Sequence, residues 1–201
     1  MEIFPLILLM AVSIFMLKKT EQRKRIALLG HYLGHYQIEK LMESLTSGYM
    51  RALGESTPER QDQIWRHLET AQAQLCEQFN KFVADFQSLQ PAQTRVSTLA
   101  LAIPYAVVLF PQATFDLRKA LAIHAKGMTQ VASNVNSVKP KDTAFTLSAE
   151  MLLMQHTCHW FCNSKVVASA RLMARHQTTY AQVLAAVSPD TRMAYQALTG
   201  S

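Results

Sequence analysis

The sequence predicts an all-α protein, in which an N-terminal single transmembrane helix is followed by a helical bundle of about four to six helices. Helix breakers are scarce, since six Gly and seven Pro together make up 13 of the 201 residues, about half of their ordinary share. Charged residues account for 17% and apolar residues for 49%, a composition that supplies a core and argues against a disordered chain. Three cysteines are too few for a small disulfide scaffold.

The first predicted element is the apolar segment 3–17, with the sequence IFPLILLMAVSIFML, in which Ser13 is the only polar residue. The basic residues of its flank follow directly: Lys18, Lys19, Arg23, Lys24 and Arg25. A secretory signal peptide carries its positive charge before the apolar run and small residues at a cleavage site after it. Because the order here is reversed, the pattern predicts an uncleaved membrane anchor.

The anchor is short for a spanning helix. Fifteen helical residues span about 22 Å, whereas the hydrocarbon core of a bilayer is about 30 Å thick. Local thinning of the bilayer and the long stems of Lys18 and Lys19 can make up the difference. The competing interpretations are a buried helix of a soluble bundle and a helix lying in the membrane interface. An interfacial helix needs a polar face, which this segment lacks.

The basic flank also predicts an orientation, because positively charged flanks remain in the cytoplasm. We expect a single-pass protein of the plasma or inner membrane, with its N-terminus outside and its C-terminal domain in the cytoplasm. The chain then divides into a membrane anchor with its basic flank at 1–25 and a cytoplasmic helical bundle at 26–201. Residues 3–17 would contact the bilayer, and the five basic residues would meet anionic lipid at its surface.

Two signals that combine a cap residue with a proline mark helix starts, at Thr57–Pro58 and at Ser188–Pro189. Ser or Thr is favoured as an N-cap, and Pro is favoured at the first helical position. The first signal predicts an amphipathic helix that runs to about Leu89. The second predicts a short helix that runs to Gly200.

Helical spacing of apolar residues organises the rest of the chain. The anchor helix can continue to about Tyr36, and the next helix is expected over 38–53. A further helix is expected over about 115–128, followed by a loop over 133–141. One long helix is then expected, capped by Asp142 or Thr143 and reaching about Val187. No strand is predicted anywhere.

Residues 96–115 carry no charge, so by length alone this segment could also span a bilayer. Its unbroken apolar stretch covers only the twelve residues 99–110, which is more typical of a core helix. Pro104 in the middle would leave a backbone carbonyl unpaired in lipid. We therefore expect a kinked central helix buried in the bundle, with a second membrane crossing as the competing model.

The densest group of potential metal ligands lies in the sequence HTCHWFC at 156–162. The four candidate ligands are His156, Cys158, His159 and Cys162. On a helix, i, i+3 and i, i+4 spacings let two or three of them converge on zinc or another soft metal. Structural zinc sites normally use two cysteine pairs, and the chain has no second pair. Buried free cysteine also packs as a small hydrophobe, so we expect no cofactor, with this metal site as the alternative.

A second local pattern is the period-four repeat GHYLGHY at 30–36. Gly30 and Gly34 would stack on one helical face, and such spacing lets another helix approach closely. His31 and His35 have the spacing of a two-histidine metal site but lack the glutamate of an HExxH motif. The pattern therefore favours close helix packing or self-association over metal binding.

The sequence contains no phosphate-binding glycine loop and no nucleophile motif of the GxSxG kind. The net charge is +6, but the basic residues of the C-terminal half are dispersed, so no nucleic-acid partner is expected. The expected function is a membrane-anchored helical scaffold or accessory subunit that acts through protein–protein interaction. The alternative is a membrane-tethered metal- or cofactor-binding protein, an enzyme included, that uses the four candidate ligands.

Overall fold

The computed structural model describes residues 3–133 and 138–200. In chain order its elements are α1 (Ile3–Leu33), α2 (Ile38–Gly54), α3 (Pro58–Phe86), α4 (Pro91–Thr94), β1 (Arg95–Ser97), α5 (Ala106–Leu109), β2 (Thr114–Asp116), α6 (Leu117–Ala132), α7 (Pro140–Cys162), α8 (Lys165–His176), α9 (Tyr180–Ala186) and α10 (Pro189–Thr199). The prediction of an all-α chain with one long apolar N-terminal helix is confirmed. Within the described residues, six helices of eleven residues or more follow α1.

Both cap-plus-proline signals mark helix starts as predicted. Pro58 is the first residue of α3, and Pro189 is the first residue of α10. Ser188 caps α10 with its hydroxyl, which accepts a hydrogen bond of 3.3 Å from the backbone N–H of Thr191. Helix ends are less well predicted, since α1 ends at Leu33 rather than Tyr36 and α3 ends at Phe86 rather than Leu89.

The aromatic stripe of α3 forms one side of the core. Phe79, Phe82 and Phe86 follow each other at helical spacing, and each is 0% exposed. This spacing places the three rings on one face, against which α2 and α6 pack. Burying a large apolar side chain stabilises the fold by about 1.5–3 kcal/mol, so this stripe is a major source of stability.

Helix α7 is the centre of the bundle, because it contacts α1, α2, α6, α8 and α9. Its buried residues lie on several sides of the helix, since the consecutive residues Ala149, Glu150 and Met151 are all buried. A helix with an apolar surface all round needs neighbours on every side. The other long helices supply that cover.

Helix α1 is unbroken over 31 residues but has two different halves. Every residue of 3–17 is exposed. The second half packs on the bundle, where Leu29 is 5% exposed and the Tyr32 ring meets the edge of Phe86 at 5.4 Å between centroids. The apolar half therefore projects away from the bundle on a helix whose other half belongs to it.

The prediction of one helix from 142 or 143 to 187 is wrong, because the chain breaks twice. The first break follows α7 at Ser164, whose hydroxyl caps α8 by accepting a hydrogen bond of 3.3 Å from the backbone N–H of Val167. The second break is at Gln177, which adopts a left-handed conformation with a φ of 52°. The two breaks let α8 and α9 fold back against α7. The N-cap of α7 is Lys139, rather than Asp142 or Thr143.

The helical hairpin of α6 and α7 begins two residues later than predicted, because Phe115 belongs to β2. Asp116 caps α6, and its carboxylate accepts a hydrogen bond of 3.0 Å from the backbone N–H of Arg118. Of the loop predicted over 133–141, residues 134–137 lie outside the described residues. Pro140 already belongs to α7.

The expectation of a buried helix over 96–115 is wrong, and so is the expectation that no strand forms. β1 and β2 pair antiparallel with Val96 opposite Phe115, and both residues are buried. Between the strands, residues 99–110 form an exposed loop that contains the four-residue helix α5. Pro104 cannot donate a backbone hydrogen bond, so a continuous helix is disfavoured there.

Gly127 allows α6 to approach α7 and α10 closely. A methyl group at this position would overlap the Thr191 hydroxyl and lie 2.8 Å from Glu150 Oε2. Gly30 is the opposite case, because, its own helix backbone aside, no atom of the described residues lies within 4 Å of the position that its Cβ would take. Both glycines lie inside helices, so they form a matched pair for substitution.

We expect Gly127→Ala to destabilise the protein by about 1–3 kcal/mol, the usual cost of overpacking a core. Gly30→Ala should be neutral or stabilising by about 0.5–1 kcal/mol, because alanine favours an exposed helix. Urea unfolding of the full chain in detergent, followed by circular dichroism, measures both changes. Equal stability of the two variants would contradict the close approach at Gly127.

Candidate functional site

The first candidate region is the α1–α7 junction, formed by Glu21, Gln22, Arg25, Phe161 and Asn163. Gln22 Nε2 donates a hydrogen bond of 2.8 Å to Asn163 Oδ1. Arg25 Nη1 donates one of 3.0 Å to the Phe161 carbonyl, and its guanidinium lies 5.3 Å from the Phe161 ring centroid. Glu21 holds Arg25 in place through an ion pair of 2.8 Å. These contacts fix the direction of α1 relative to the bundle.

The five basic residues of the predicted membrane surface divide into two groups. Arg25 is engaged by the bundle, as described above. Lys18 is half-buried, whereas Lys19, Arg23 and Lys24 are exposed around the end of the apolar segment. Of the described helices, α1 alone is long and apolar enough to cross a membrane, by length and composition.

The exposed loop 99–110 meets α1 next to this junction. The backbone N–H of Tyr105 donates a hydrogen bond of 2.9 Å to Glu21 Oε2. A cleft lies between the two elements, and Lys18, Ile103 and Trp160 contribute to its lining. The Glu21 carboxylate thus binds both Arg25 and the loop. Because Arg25 also binds α7, this carboxylate connects α1, α7 and the loop.

The four candidate metal ligands all lie at the end of α7 but point in different directions. His156 Nε2 lies 3.0 Å from Ser169 Oγ of α8, and His159 Nδ1 lies 3.2 Å from a guanidinium nitrogen of Arg171. Successive residues of a helix are rotated by about 100°, which places Cys158 nearly opposite His156. Among the described residues, no three His, Cys, Asp or Glu side chains are grouped closely enough to hold a metal ion.

Burial also weakens the two thiols as ligands, because the thiolate is the form that binds metal. It raises the pKa of Cys158 well above its usual range, and that of Cys162 to about 11, with Arg25 acting in the opposite sense. The Cys158 thiol instead lies 3.7 Å from the sulfur of Met154. The metal site stays an alternative to the expected absence of a cofactor, and elemental analysis of the purified chain is the measurement that decides between them.

The predicted glycine face is only partly formed. α1 ends at Leu33, so Gly34 lies just beyond the helix and its N–H still bonds to the Gly30 carbonyl at 2.9 Å. Gly30 is exposed, and no other part of the described chain packs against it. Close packing within the described chain is therefore not seen at Gly30, and self-association through this face stays a prediction.

The second candidate region is a buried polar cluster that the sequence analysis missed. It comprises two hydrogen-bonded sets between α6, α7 and α10: His124, Thr157 and Tyr195 form one, and Glu150 with the half-buried Ser188 forms the other. The Thr157 hydroxyl lies 2.9 Å from His124 Nε2 and 2.8 Å from Tyr195 Oη. All three side chains are 0% exposed. Burial lowers the pKa of His124 to about 3, so its ring is neutral in the folded protein near neutral pH.

Glu150 of the same cluster is a carboxylic acid held inside the core at 0% exposure. Its Oε1 accepts hydrogen bonds from the backbone N–H of Ser188 at 3.1 Å and from its hydroxyl at 2.9 Å. Burial raises the pKa of the carboxyl, against the lowering effect of these hydrogen bonds. Within the part of the chain that the structure describes, its Oε2 and His124 Nδ1 have no hydrogen-bond partner, an uncommon state for buried polar atoms.

One signal could have located this cluster. Glu150 precedes the apolar residues 151–154 on a helix, and a glutamate buried beside such a run has to be paired with a polar partner. His124 and Tyr195 carry no comparable local signal, because they meet Thr157 only through the packing of three helices. Through these hydrogen bonds the cluster fixes the packing of α6, α7 and α10.

Comparison with known proteins finds no family model that matches the chain, and no similar curated protein or solved structure. Its function therefore has to be inferred from its own residues.

The buried histidines predict a loss of stability in acid. Burial lowers the pKa of His156 to about 4, and that of His124 to about 3, so below about pH 6.5 the unfolded chain binds more protons than the folded one. Each histidine then costs up to about 1.4 kcal/mol of stability per pH unit. Glu150 acts in the opposite sense, because its pKa is raised.

We expect His124→Gln to reduce this pH slope by about one proton between roughly pH 6 and pH 4. Urea unfolding of the full chain in detergent at several pH values measures the slope. His67→Gln, at an exposed position on α3, serves as the control and should keep the original slope. An unchanged slope in His124→Gln would mean that His124 binds its proton equally well in the folded and the unfolded chain, so that burial does not lower its pKa.

Proposed function

We propose that this chain is a membrane-anchored helical scaffold or accessory subunit that acts through protein–protein interaction. The observation that carries the proposal is the construction of α1. Its first half, residues 3–17, is apolar and exposed, and exposed apolar surface of this extent needs a bilayer or a partner to cover it. Its second half is hydrogen-bonded to the bundle through Gln22 and Arg25. A membrane anchor built in this way holds the bundle in a defined orientation.

The proposed orientation places the bundle in the cytoplasm. Four basic residues follow the apolar segment at its bundle end. Lys18 is half-buried, and Lys19, Arg23 and Lys24 are exposed. Positive residues at this position oppose translocation and attract anionic headgroups. The same residues extend the hydrophobic length, because their stems can reach along the helix to the headgroups.

Two features of the bundle support a binding role. The side chains of His124, Glu150 and Thr157 in the buried polar cluster are 0% exposed. A substrate has to reach the side chain that acts on it, so these three do not favour the enzyme alternative. The bundle surface, in contrast, carries large apolar side chains such as Met50, Phe145 and Met193, at 68%, 65% and 62% exposure. Exposed side chains of this kind are available for a protein partner.

Photo-crosslinking in native membranes tests the binding role. A photoreactive amino acid is placed in turn at Met50, Phe145 and Met193 of the full chain. We expect a discrete adduct from at least one position, at the summed mass of chain and partner. The purified chain in vesicles is the control: an adduct at twice 22.6 kDa there would identify self-association. No discrete adduct at any position would contradict the proposal.

A reporter enzyme that is active only after export, fused to the C-terminus, tests the orientation. We expect it to be inactive, because the basic flank keeps the bundle inside. Replacing Lys18, Lys19, Arg23 and Lys24 with Gln should raise its activity by inverting part of the population. Arg25 is kept in that variant, because it holds α1 on the bundle. An active reporter on the unchanged chain would reverse the proposed topology.

A further inference from the structure

The exposed loop 99–110, here called the apolar loop, has a surface that is apolar and uncharged, unlike the mixed polar surface of most soluble proteins. No charged residue occurs between Arg95 and Asp116. Leu101, Val108 and Leu109 are 70%, 70% and 62% exposed, the values of side chains that stand clear of the bundle. Three further apolar or aromatic side chains are 41–50% exposed: Ile103, Tyr105 and Phe110. Monomeric soluble proteins rarely expose so many neighbouring apolar side chains.

The apolar loop is fixed in place at its base. Trp160 Nε1 donates a hydrogen bond of 2.8 Å to the Ser97 carbonyl, and the N–H of Thr98 bonds to the Ala113 carbonyl at 2.9 Å. Within the loop, α5 turns Ala106 inward at 4% exposure while Val108 faces outward. The outward apolar side chains are therefore presented by a supported structure.

The position of the apolar loop relative to the anchor identifies what covers it. The Tyr105 N–H bonds to Glu21 Oε2 at 2.9 Å, and Glu21 lies four residues after Leu17, the last residue of the apolar segment. Four helical residues rise by about 6 Å. The loop thus lies at the depth where α1 changes from apolar to basic, beside Lys18.

We propose that the apolar loop inserts into the interfacial region of the same bilayer that α1 spans, and forms a second membrane contact. This inference rests on the proposed membrane anchoring. Lipid is the occupant that fits, because the surface is apolar and uncharged, adjoins the anchor, and lies at the level of basic residues suited to anionic headgroups. Tyr105 has the amphipathic ring that is enriched at this depth.

The insertion is shallow, for a reason that the backbone supplies. Non-helical backbone exposed to hydrocarbon leaves N–H and C=O groups unpaired, which costs several kcal/mol per group. The loop is mostly non-helical, and β1 and β2 bring its two ends back to the same edge of the bundle. Its side chains can reach the boundary of headgroups and acyl chains, which interfacial elements enter by about 5–10 Å.

Site-directed fluorescence on the full chain tests this contact. The environment-sensitive probe NBD is attached to a cysteine at Val108, at Leu8 in the anchor, or at Met50 as the exposed control. Cys162→Ala is the background, since Cys76 and Cys158 are buried. Each protein is reconstituted into vesicles of phosphatidylcholine with a minority of phosphatidylglycerol. Quenching by nitroxide-labelled lipid then reports contact with the bilayer.

Met50 is a suitable control because its exposure, 68%, matches the 70% of Val108. The neighbouring Tyr49 packs on Trp65, which shares a cleft with Pro140 at the start of α7. The α1–α7 junction lies at the opposite end of that helix. A probe at Met50 should therefore be quenched by a water-soluble quencher and not by labelled lipid.

We expect labelled lipid to quench the probes at Leu8 and Val108 and to leave the probe at Met50 unchanged. In a second set, the probe is attached at Leu101. The double substitution Val108→Glu with Leu109→Glu should lower the quenching of this probe by labelled lipid. The control substitution Met50→Glu should leave that quenching unchanged. If labelled lipid quenches the probe at Leu8 but not the probe at Val108, the loop contact is overturned and the anchoring stands. The same holds if the water-soluble quencher does not reach Val108 either, because a protein and not lipid then covers the loop. Absence of quenching at Leu8 would overturn the membrane anchoring and the loop contact with it.

Discussion

The docking of α1 on the end of α7 is the interaction on which the rest of the arrangement depends. Arg25 satisfies the Phe161 carbonyl, one of the last carbonyls of α7, which no longer has a partner within its own helix. Glu21 neutralises that guanidinium and also binds the backbone of Tyr105. A single turn of α1 therefore sets the direction of the apolar segment and the position of the apolar loop.

Helix α7 transmits this constraint to the bundle, because its neighbours surround it. At the α1 end, Trp160 supports β1 and packs edge-on against Phe115 at 5.0 Å between ring centroids. Further along, Thr157 holds α6 and α10 through buried hydrogen bonds to His124 and Tyr195, and Glu150 binds Ser188, the N-cap of α10. Hydrogen bonds of this kind have directional geometry, so they specify how the helices pack in a way that apolar contacts alone do not.

The sequence predicts those parts of the fold whose signals are local. Thr57–Pro58 and Ser188–Pro189 mark the starts of α3 and α10 because the cap and the fixed φ of proline act within one turn. The end of α7 was not predicted because the apolar pattern continues past Ser164, the residue that caps α8. The break at Gln177 was not predicted because this left-handed position is not occupied by glycine. Tertiary packing decides both positions.

The candidate sites were harder to predict, for a geometric reason. The spacing of His156, Cys158, His159 and Cys162 fixes their angles on a helix but not which neighbouring helix each one meets. Ser169 of α8 and Arg171 meet the two histidines, and that contact depends on the break at Ser164. The exposure of the apolar loop likewise could not be read from its composition, since an uncharged apolar run is equally compatible with a core helix.

Positions where local chemistry disagrees with its surroundings are the places where function is expected. The described part of the bundle has two such disagreements, a carboxylic acid inside the core and an apolar loop outside it. The first is compensated in part within the protein, because Ser188 donates two hydrogen bonds to one oxygen of Glu150. The second has no compensation among the described residues, since Leu101, Val108 and Leu109 remain exposed. In the proposed membrane arrangement, the bilayer that surrounds residues 3–17 also covers this loop, because the hydrogen bond from Tyr105 to Glu21 holds the loop beside the end of that segment.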